Sequence, residues 1–90
     1  MSENLKTSVM EFPQDFPIKV MGEQHPEFTA TVLQVVQKHA PTTTETNISS
    51  RPSSKGNYVS ATVMIRAESQ EQLDNIYRSL SGHPMVKVVL

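Results

Sequence analysis

The sequence has no cysteine, and only 3 of its 90 residues are glycine. Without cysteine, the chain forms no disulfide, thiolate zinc site, iron–sulfur cluster or cysteine nucleophile. Neither a P-loop nor a G-x-G-x-x-G motif is present among the few glycines. A chain of this length makes one domain with one core, so packing or a partner must provide its stability.

The sequence also lacks long apolar runs and an excess of charge of one sign. No run approaches the roughly 20 residues of a membrane span, and residues 1–10 lack the apolar segment of a signal peptide. Eight lysines and arginines balance nine carboxylates, for a net charge of −1. The whole chain therefore has no basic footprint for nucleic acid or for a membrane. A cytoplasmic protein is predicted.

Catalytic and metal-binding patterns are missing as well. His25, His39 and His83 have no metal-ligand spacing. The serines of residues 49–54 lack a G-x-S-x-G elbow and a positioned base. No two carboxylates lie where burial would raise the pKa of one above that of the other, as a catalytic acid and base require. The sequence predicts no catalytic residue, metal or cofactor, and therefore a protein that is not an enzyme.

The first half of the chain reads as a tail, a strand and a helix. Residues 1–14 are predicted as a tail or short helix that precedes a domain over residues 15–90. Phe16–Met21 alternates as a strand and Gly22 ends it. Pro26 suits the first position of the following helix, which Pro41 ends.

Two strands and a turn follow. The polar stretch Thr42–Ser50 is predicted as an edge strand, with a plain loop as the alternative. Ser50–Asn57 is a turn by composition, and Tyr58–Ala67 is the clearest strand.

A second helix and a last strand complete the chain. Ser69 and Gln72 form a capping box at the helix start. Gly82 is predicted as its left-handed C-terminal cap, and Met85–Leu90 is a valine-rich strand.

The order β-α-β, β-α-β predicts an α+β, ferredoxin-like split βαβ fold, in which two helices cover one face of a four-stranded antiparallel sheet. The first and third strands are central. The predicted core is Ile18, Val20, Phe28, Val32, Val35, Val36, Val59, Ala61, Val63, Ile65, Leu73, Ile76, Tyr77, Leu80, Val86 and Val88. The predicted uncovered face carries Lys19, Met21, Tyr58, Ser60, Thr62, Met64, Arg66, Lys87 and Val89.

Two known uses of this topology were compared with the chain. Acylphosphatases need an arginine after the first strand, and residues 21–25 contain none. RNA-recognition motifs stack bases on aromatic side chains of the central strands. Here Tyr58 is the one aromatic residue predicted on that face, and Lys19 and Met21 occupy the first strand. Nucleic acid is therefore the less favoured partner.

The turn before the third strand is the most distinctive segment. Gly56 and Asn57 permit positive φ, and Lys55 adds a cation. Such a turn can bind an anion with its backbone N–H groups. A strand connection with no ligand explains the same residues and is preferred.

Several strings resemble the YbeD-like family of small uncharacterised bacterial proteins, from about Glu11 to Leu90. They are Glu11-Phe12-Pro13, Lys19-Val20-Met21-Gly22, Pro26-Glu27, Val35-Val36-Gln37, His39-Ala40-Pro41, Pro52-Ser53-Ser54-Lys55-Gly56-Asn57-Tyr58 and Val89-Leu90. The resemblance implies a ferredoxin-like fold similar to ACT regulatory domains and supplies no catalytic residues. ACT domains bind small ligands near the turn after the first strand, which implies Met21, Gly22, Glu23 and Gln24 here. The subunits of ACT domains often pair, so the resemblance leaves a homodimer as one alternative.

These observations lead to one functional hypothesis and one alternative. The chain is expected to be a non-catalytic, ACT-like regulatory module that acts through a small metabolite or a protein partner. The alternative is a module that binds single-stranded nucleic acid in the manner of an RNA-recognition motif.

Overall fold

The structure, a computed structural model, describes residues 11–53 and 55–90. Its elements are β1 (Gln14–Glu23), α1 (Phe28–Gln37), a 3₁₀ helix (Glu45–Asn47), β2 (Ile48–Pro52), β3 (Tyr58–Ala67), α2 (Gln70–Ser81) and β4 (Val86–Val89). The tail or short helix predicted over residues 1–14 lies outside the described residues as far as residue 10, and Gln14 already belongs to β1.

The four strands form one antiparallel sheet in the order β2-β3-β1-β4. The two central strands pair along their whole length, from Gln14 opposite Ala67 to Glu23 opposite Tyr58. Strands of alternating apolar and polar residues favour this arrangement, because one face is buried and the other is not. The predicted ferredoxin-like βαββαβ fold is confirmed.

The core lies between the sheet and the two helices. Phe28 is its largest fully buried side chain, and burial of each such residue contributes about 1.5–3 kcal/mol. Every predicted core residue is buried except Tyr77, which is half-buried, and Val88, which is exposed. Three further apolar residues are buried that the prediction omitted, namely Leu33, Ala40 and Ala67.

A bulge in β4 explains the exposure of Val88. Val86 pairs with Gly22 and Val88 pairs with the preceding residue, Met21, so that Lys87 is an extra residue in the strand. Because side chains along a strand alternate between the two faces of a sheet, one extra residue moves every later side chain of that strand to the opposite face. The predictions of Val88 in the core and Val89 on the uncovered face are therefore wrong, and Val89 packs against the core.

The second strand begins later than predicted because residues 44–47 form hydrogen bonds with one another. Thr44 N–H donates to Asn47 Oδ1 at 2.8 Å, and Asn47 N–H donates to the Thr44 carbonyl at 2.9 Å. The loop alternative is thus correct before Ile48, and the strand extends to Pro52.

Two predicted helix boundaries also change. Pro26 lies in a turn before α1, where Phe28 N–H donates to the His25 carbonyl at 3.0 Å, so Pro26 is not the first helical residue. Gly82 follows α2 with φ −84°, in the right-handed region, so the predicted left-handed cap is wrong. The Ser69 cap is confirmed, since its Oγ accepts from Gln72 N–H at 3.1 Å.

Candidate binding surface on the open face of the sheet

Both helices pack on one side of the sheet, and no described helix covers the opposite side, which is called the open face here. Three large apolar side chains on it remain exposed: Tyr58 at 50%, Met64 at 42% and Val88 at 44%. An exposed group of this kind on a small protein is typical of a contact surface.

Strand pairing determines which predicted site residues share the open face. Lys19 lies opposite Thr62, Met21 opposite Ser60, and Glu23 opposite Tyr58. Two further pairs extend the face towards its other end: Asp15 with Arg66 and Pro17 with Met64. All six predicted sheet-face residues (Lys19, Tyr58, Ser60, Thr62, Met64 and Arg66) therefore lie together, and their role as contacts stays a prediction.

Two open-face residues were missed, because Ser49 lay in a predicted edge strand without an assigned face and Arg51 lay beyond the predicted end of that strand. Ser49 lies opposite Thr62 and Arg51 lies opposite Ser60. Arg51 had been predicted in a turn. No alternation in β2 could have located it, because Ile48 is partly buried and the residues from Ser49 to Pro52 are all exposed.

The cations of the open face fall into two groups. At its ends, Arg66 pairs with Asp15 at 3.3 Å, and Lys87 pairs with Glu23 at 3.5 Å. Lys19 and Arg51, nearer the centre, have no ion pair with an acidic side chain among residues 11–53 and 55–90. Near its centre, the described part of the face therefore has two cations without an acidic side-chain partner.

A polar groove lies between these two central cations. Its volume is about 340 Å³ and its lining is Lys19, Ser49, Ser50, Arg51, Ser60 and Thr62. Hydroxyl groups and two flexible cations supply hydrogen-bond donors but no strong acceptor, so the groove suits an anionic group.

The two turns predicted to bind a small ligand lie beside each other. Gln24 N–H donates to the Asn57 carbonyl at 3.0 Å, which joins the turn after β1 to the turn before β3. Gly56 has φ +74°, as the composition of its turn predicts. Gly22 is buried on the helix side, whereas Met21 and Glu23 lie on the open face.

The concavity beside the first turn is small. It measures about 190 Å³ and is lined by Glu23, Gln24, His25, Pro84, Met85 and Lys87. Pockets for drug-sized ligands are usually about 300–1,000 Å³. A larger concavity, an open groove of about 870 Å³ between α1 and the 3₁₀ helix, contains no predicted site residue.

The three histidines make local hydrogen bonds. His25 Nδ1 accepts from Glu27 N–H at 2.9 Å, and His83 Nδ1 accepts from Met85 N–H at 3.1 Å. His39 Nε2 and Ser79 Oγ are 2.9 Å apart and tie α1 to α2. No described carboxylate bonds to this His39 ring, so we interpret the pair as a tie between helices.

Within the described ranges, no three histidine or acidic side chains are grouped so that they could hold a metal ion. None of the described helices is long and apolar enough to cross a membrane.

Comparison with known proteins gives consistent matches along the whole domain. A family model described as "Protein of unknown function (DUF493)" matches residues 7–90. A UPF0250 protein of Neisseria gonorrhoeae is 61% identical over 85 residues, which cover 94% of this chain and 93% of the relative. Another, from Paraburkholderia phytofirmans, is 54% identical and covers 97% of this chain and 98% of the relative.

A solved structure supports the fold independently of close sequence similarity. The solution structure of protein HP0495 from H. pylori superimposes with a TM-score of 0.73 at 14% identity, over 94% of this chain and 89% of that one. The family model and the relatives above, together with the motifs that predicted a YbeD-like protein, lead to one conclusion. The chain belongs to the DUF493 family of small bacterial proteins.

Proposed function

We propose that the protein is a non-catalytic regulatory module that binds a separate protein through the open face of its sheet. The observation that carries the proposal is the grouping of Tyr58, Met64 and Val88, all exposed, around the cations Lys19 and Arg51. Aromatic residues, methionine and arginine are enriched at protein interfaces. Covering these apolar side chains with a partner removes them from water, which favours binding.

The dimensions of the face suit a transient protein contact. Ten-residue central strands are about 33 Å long, and four strands spaced about 4.8 Å apart give a width near 15–20 Å. The projected area is therefore about 500 Å². Transient complexes commonly bury less than about 1,200 Å² in total, or about 600 Å² on each partner.

A small metabolite at the ACT-like position is disfavoured by the size of that site. The ACT-like position at residues 21–24 offers only about 190 Å³, less than ordinary ligand pockets. Nucleic acid is disfavoured on the same face, because Tyr58 is the one exposed aromatic side chain among its described residues. Proteins that bind single-stranded nucleic acid usually stack several bases on aromatic side chains.

Site-specific photo-crosslinking in the protein's host cells tests the proposal. A photoreactive amino acid at Met64 or Val88 is expected to cross-link one or a few discrete proteins. The same amino acid at Glu71, exposed on α2, provides the matched control and is expected to give none of these products.

A second measurement connects binding with regulation. The cross-linked protein is purified, and its own activity is measured with and without the unmodified chain. Identical products from the Met64 and Glu71 positions, cross-links to nucleic acid alone, or an unchanged partner activity would each contradict the proposal.

A further inference from the structure

Charge is distributed unequally between the two sides of the molecule. The open face and its β4 edge carry four cations and two carboxylates, namely Lys19, Arg51, Arg66, Lys87, Asp15 and Glu23. The helical side, with the segments that enter it, carries five carboxylates and two cations, namely Glu27, Glu45, Glu68, Glu71, Asp74, Lys38 and Arg78. Among these residues the open face therefore has a net charge of +2 and the helical side a net charge of −3.

The excess positive charge is concentrated at the middle of β1. Lys19 lies four residues from Asp15 and four from Glu23, which is about 13 Å along the strand in each direction. The Debye length at physiological ionic strength is about 8 Å. Asp15 and Glu23, which each have a cationic partner of their own, therefore screen Lys19 weakly.

The second unpaired cation reaches the same groove from the other side of β3. The groove is lined by Lys19 of β1 and by Arg51 of β2, with the hydroxyls of Ser60 and Thr62 between them. Met21 and Met64 belong to the same face, each on one side of the Lys19–Thr62 pair. A site that suits an anionic group is thus bordered by apolar side chains.

We propose that this centre of the open face binds a segment of the partner protein in which carboxylate side chains are interspersed with apolar ones. Lys19 and Arg51 bind the carboxylates, and Met21, Met64 and Val88 contact the apolar residues. The inference rests on the proposed function and adds to it the chemical class of the partner segment. Arginine binds a carboxylate with two parallel hydrogen bonds, whereas lysine acts as a point charge.

The distribution of acids along β1 favours a short acidic peptide over a nucleic acid. A bound strand that follows β1 meets Asp15 at one end and Glu23 at the other, about 26 Å apart. A phosphate backbone carries charge at every nucleotide, whereas the cations at the two ends, Arg66 and Lys87, are already paired with these carboxylates. A peptide can place its carboxylates at the centre alone.

Titration with synthetic peptides tests the inference. The probe is a ten-residue peptide of alternating glutamate and leucine that carries a fluorophore, and its comparison is the same peptide with glutamine in place of glutamate. Fluorescence anisotropy is measured at 50, 150 and 500 mM NaCl, and amide shifts of the ¹⁵N-labelled chain are recorded. We expect at least tenfold tighter binding of the glutamate peptide at 50 mM salt, with shifts centred on Lys19, Arg51 and Thr62.

Variants separate the central cations from general electrostatic attraction. The double variant Lys19→Gln, Arg51→Gln is expected to bind the glutamate peptide at least tenfold more weakly. The matched double variant Lys38→Gln, Arg78→Gln removes the same charge from exposed positions on the helical side and is expected to remain within twofold of the unmodified chain. Circular dichroism confirms that both variants are folded.

The outcomes distinguish this inference from the proposed function. Equal binding of the two peptides, equal weakening by both double variants, or no binding of the glutamate peptide overturns the acidic partner segment. Cross-linking from Met64 would still support a protein contact of other chemistry. Tighter binding of oligo(U) than of the glutamate peptide overturns the inference in favour of nucleic acid. A dimer in sedimentation that the Lys19→Gln, Arg51→Gln variant dissociates overturns it in favour of a second copy of the chain.

Discussion

Met21 of β1 lies directly opposite Val88 of β4, and both side chains lie on the open face of the sheet. The pairing depends on the extra residue Lys87, which leaves Val86 on the helix side opposite Gly22. Two valines only two residues apart in β4 thus have different environments, since Val86 is 9% exposed and Val88 is 44% exposed.

This difference predicts unequal costs for the same substitution. Val86→Ser is expected to lower the free energy of unfolding by about 2 kcal/mol, because a buried apolar side chain is lost and a hydroxyl is buried. Val88→Ser is expected to change it by less than about 0.5 kcal/mol, as at most surface positions. Urea unfolding followed by circular dichroism measures both, and equal losses would contradict the bulge.

Regular alternation made the central part of the fold predictable. Tyr58–Ala67 has the same bounds in the prediction and the structure, because Val59, Ala61, Val63 and Ile65 alternate without interruption. Period-two patterns determine which face a residue occupies as long as no residue is inserted. The predicted open-face positions Lys19, Thr62 and Met64 follow from this regularity.

The missed features depend on contacts that a local pattern does not contain. The bulge in β4 arises where Gly22 approaches the chain near Met85, which is distant in sequence. Arg51 lies on the open face because β2 pairs with β3 as far as Pro52, whereas residues 44–47 bond to one another instead of forming a strand. Polar segments with several short hydrogen-bonding side chains have competing local structures of similar energy.

Gly22 is predicted to tolerate no side chain. A Cβ atom at this position would overlap the Met85 carbonyl oxygen and the ring of Phe28. Because the carbonyl belongs to the backbone and the ring is buried in the core, neither can move freely, and Gly22→Ala is expected to destabilise the protein by about 1–3 kcal/mol or more. Thermal unfolding measures the change.

Gly82→Ala provides the matched control for this substitution. Its φ of −84° suits an L residue, and the nearest atom to an added Cβ, the Arg78 carbonyl oxygen, is 3.3 Å away. A change of less than about 1 kcal/mol is expected. A loss at residue 82 as large as that at residue 22 would contradict the steric explanation.

Gln72 connects the start of α2 with the end of α1, and its loss is expected to weaken both. Its Oε1 accepts from Glu68 N–H at 2.5 Å, and its Nε2 donates to the His39 carbonyl at 2.9 Å. Gln72→Ala is expected to cost about 1–2 kcal/mol, since both backbone groups lose their partner. Gln72→Glu keeps the acceptor alone and should cost less.

Gln70 supplies the control on the same helix. Its side chain makes one exposed hydrogen bond, to Asp74 at 3.0 Å, so Gln70→Ala is expected to change stability by less than about 0.5 kcal/mol. Chemical unfolding of the three variants ranks them. Equal stability of Gln72→Ala and Gln70→Ala would contradict the proposed link between the helices.

Tyr77 is expected to make stability fall at alkaline pH. Burial raises the pKa of its phenol above the usual 10.0, and its hydroxyl donates to the Leu90 carbonyl at 3.3 Å. Above pH 10 the unfolded chain loses the phenolic proton before the folded chain does, so the stabilisation is present below that pH and is lost as pH rises through the folded pKa.

Tyr77→Phe should flatten this dependence of stability on pH, whereas Tyr58→Phe should retain it. The absorbance of tyrosinate near 295 nm, measured in the Tyr58→Phe variant, reports the titration of Tyr77 alone, and a midpoint at or below pH 10 would contradict the burial of this group.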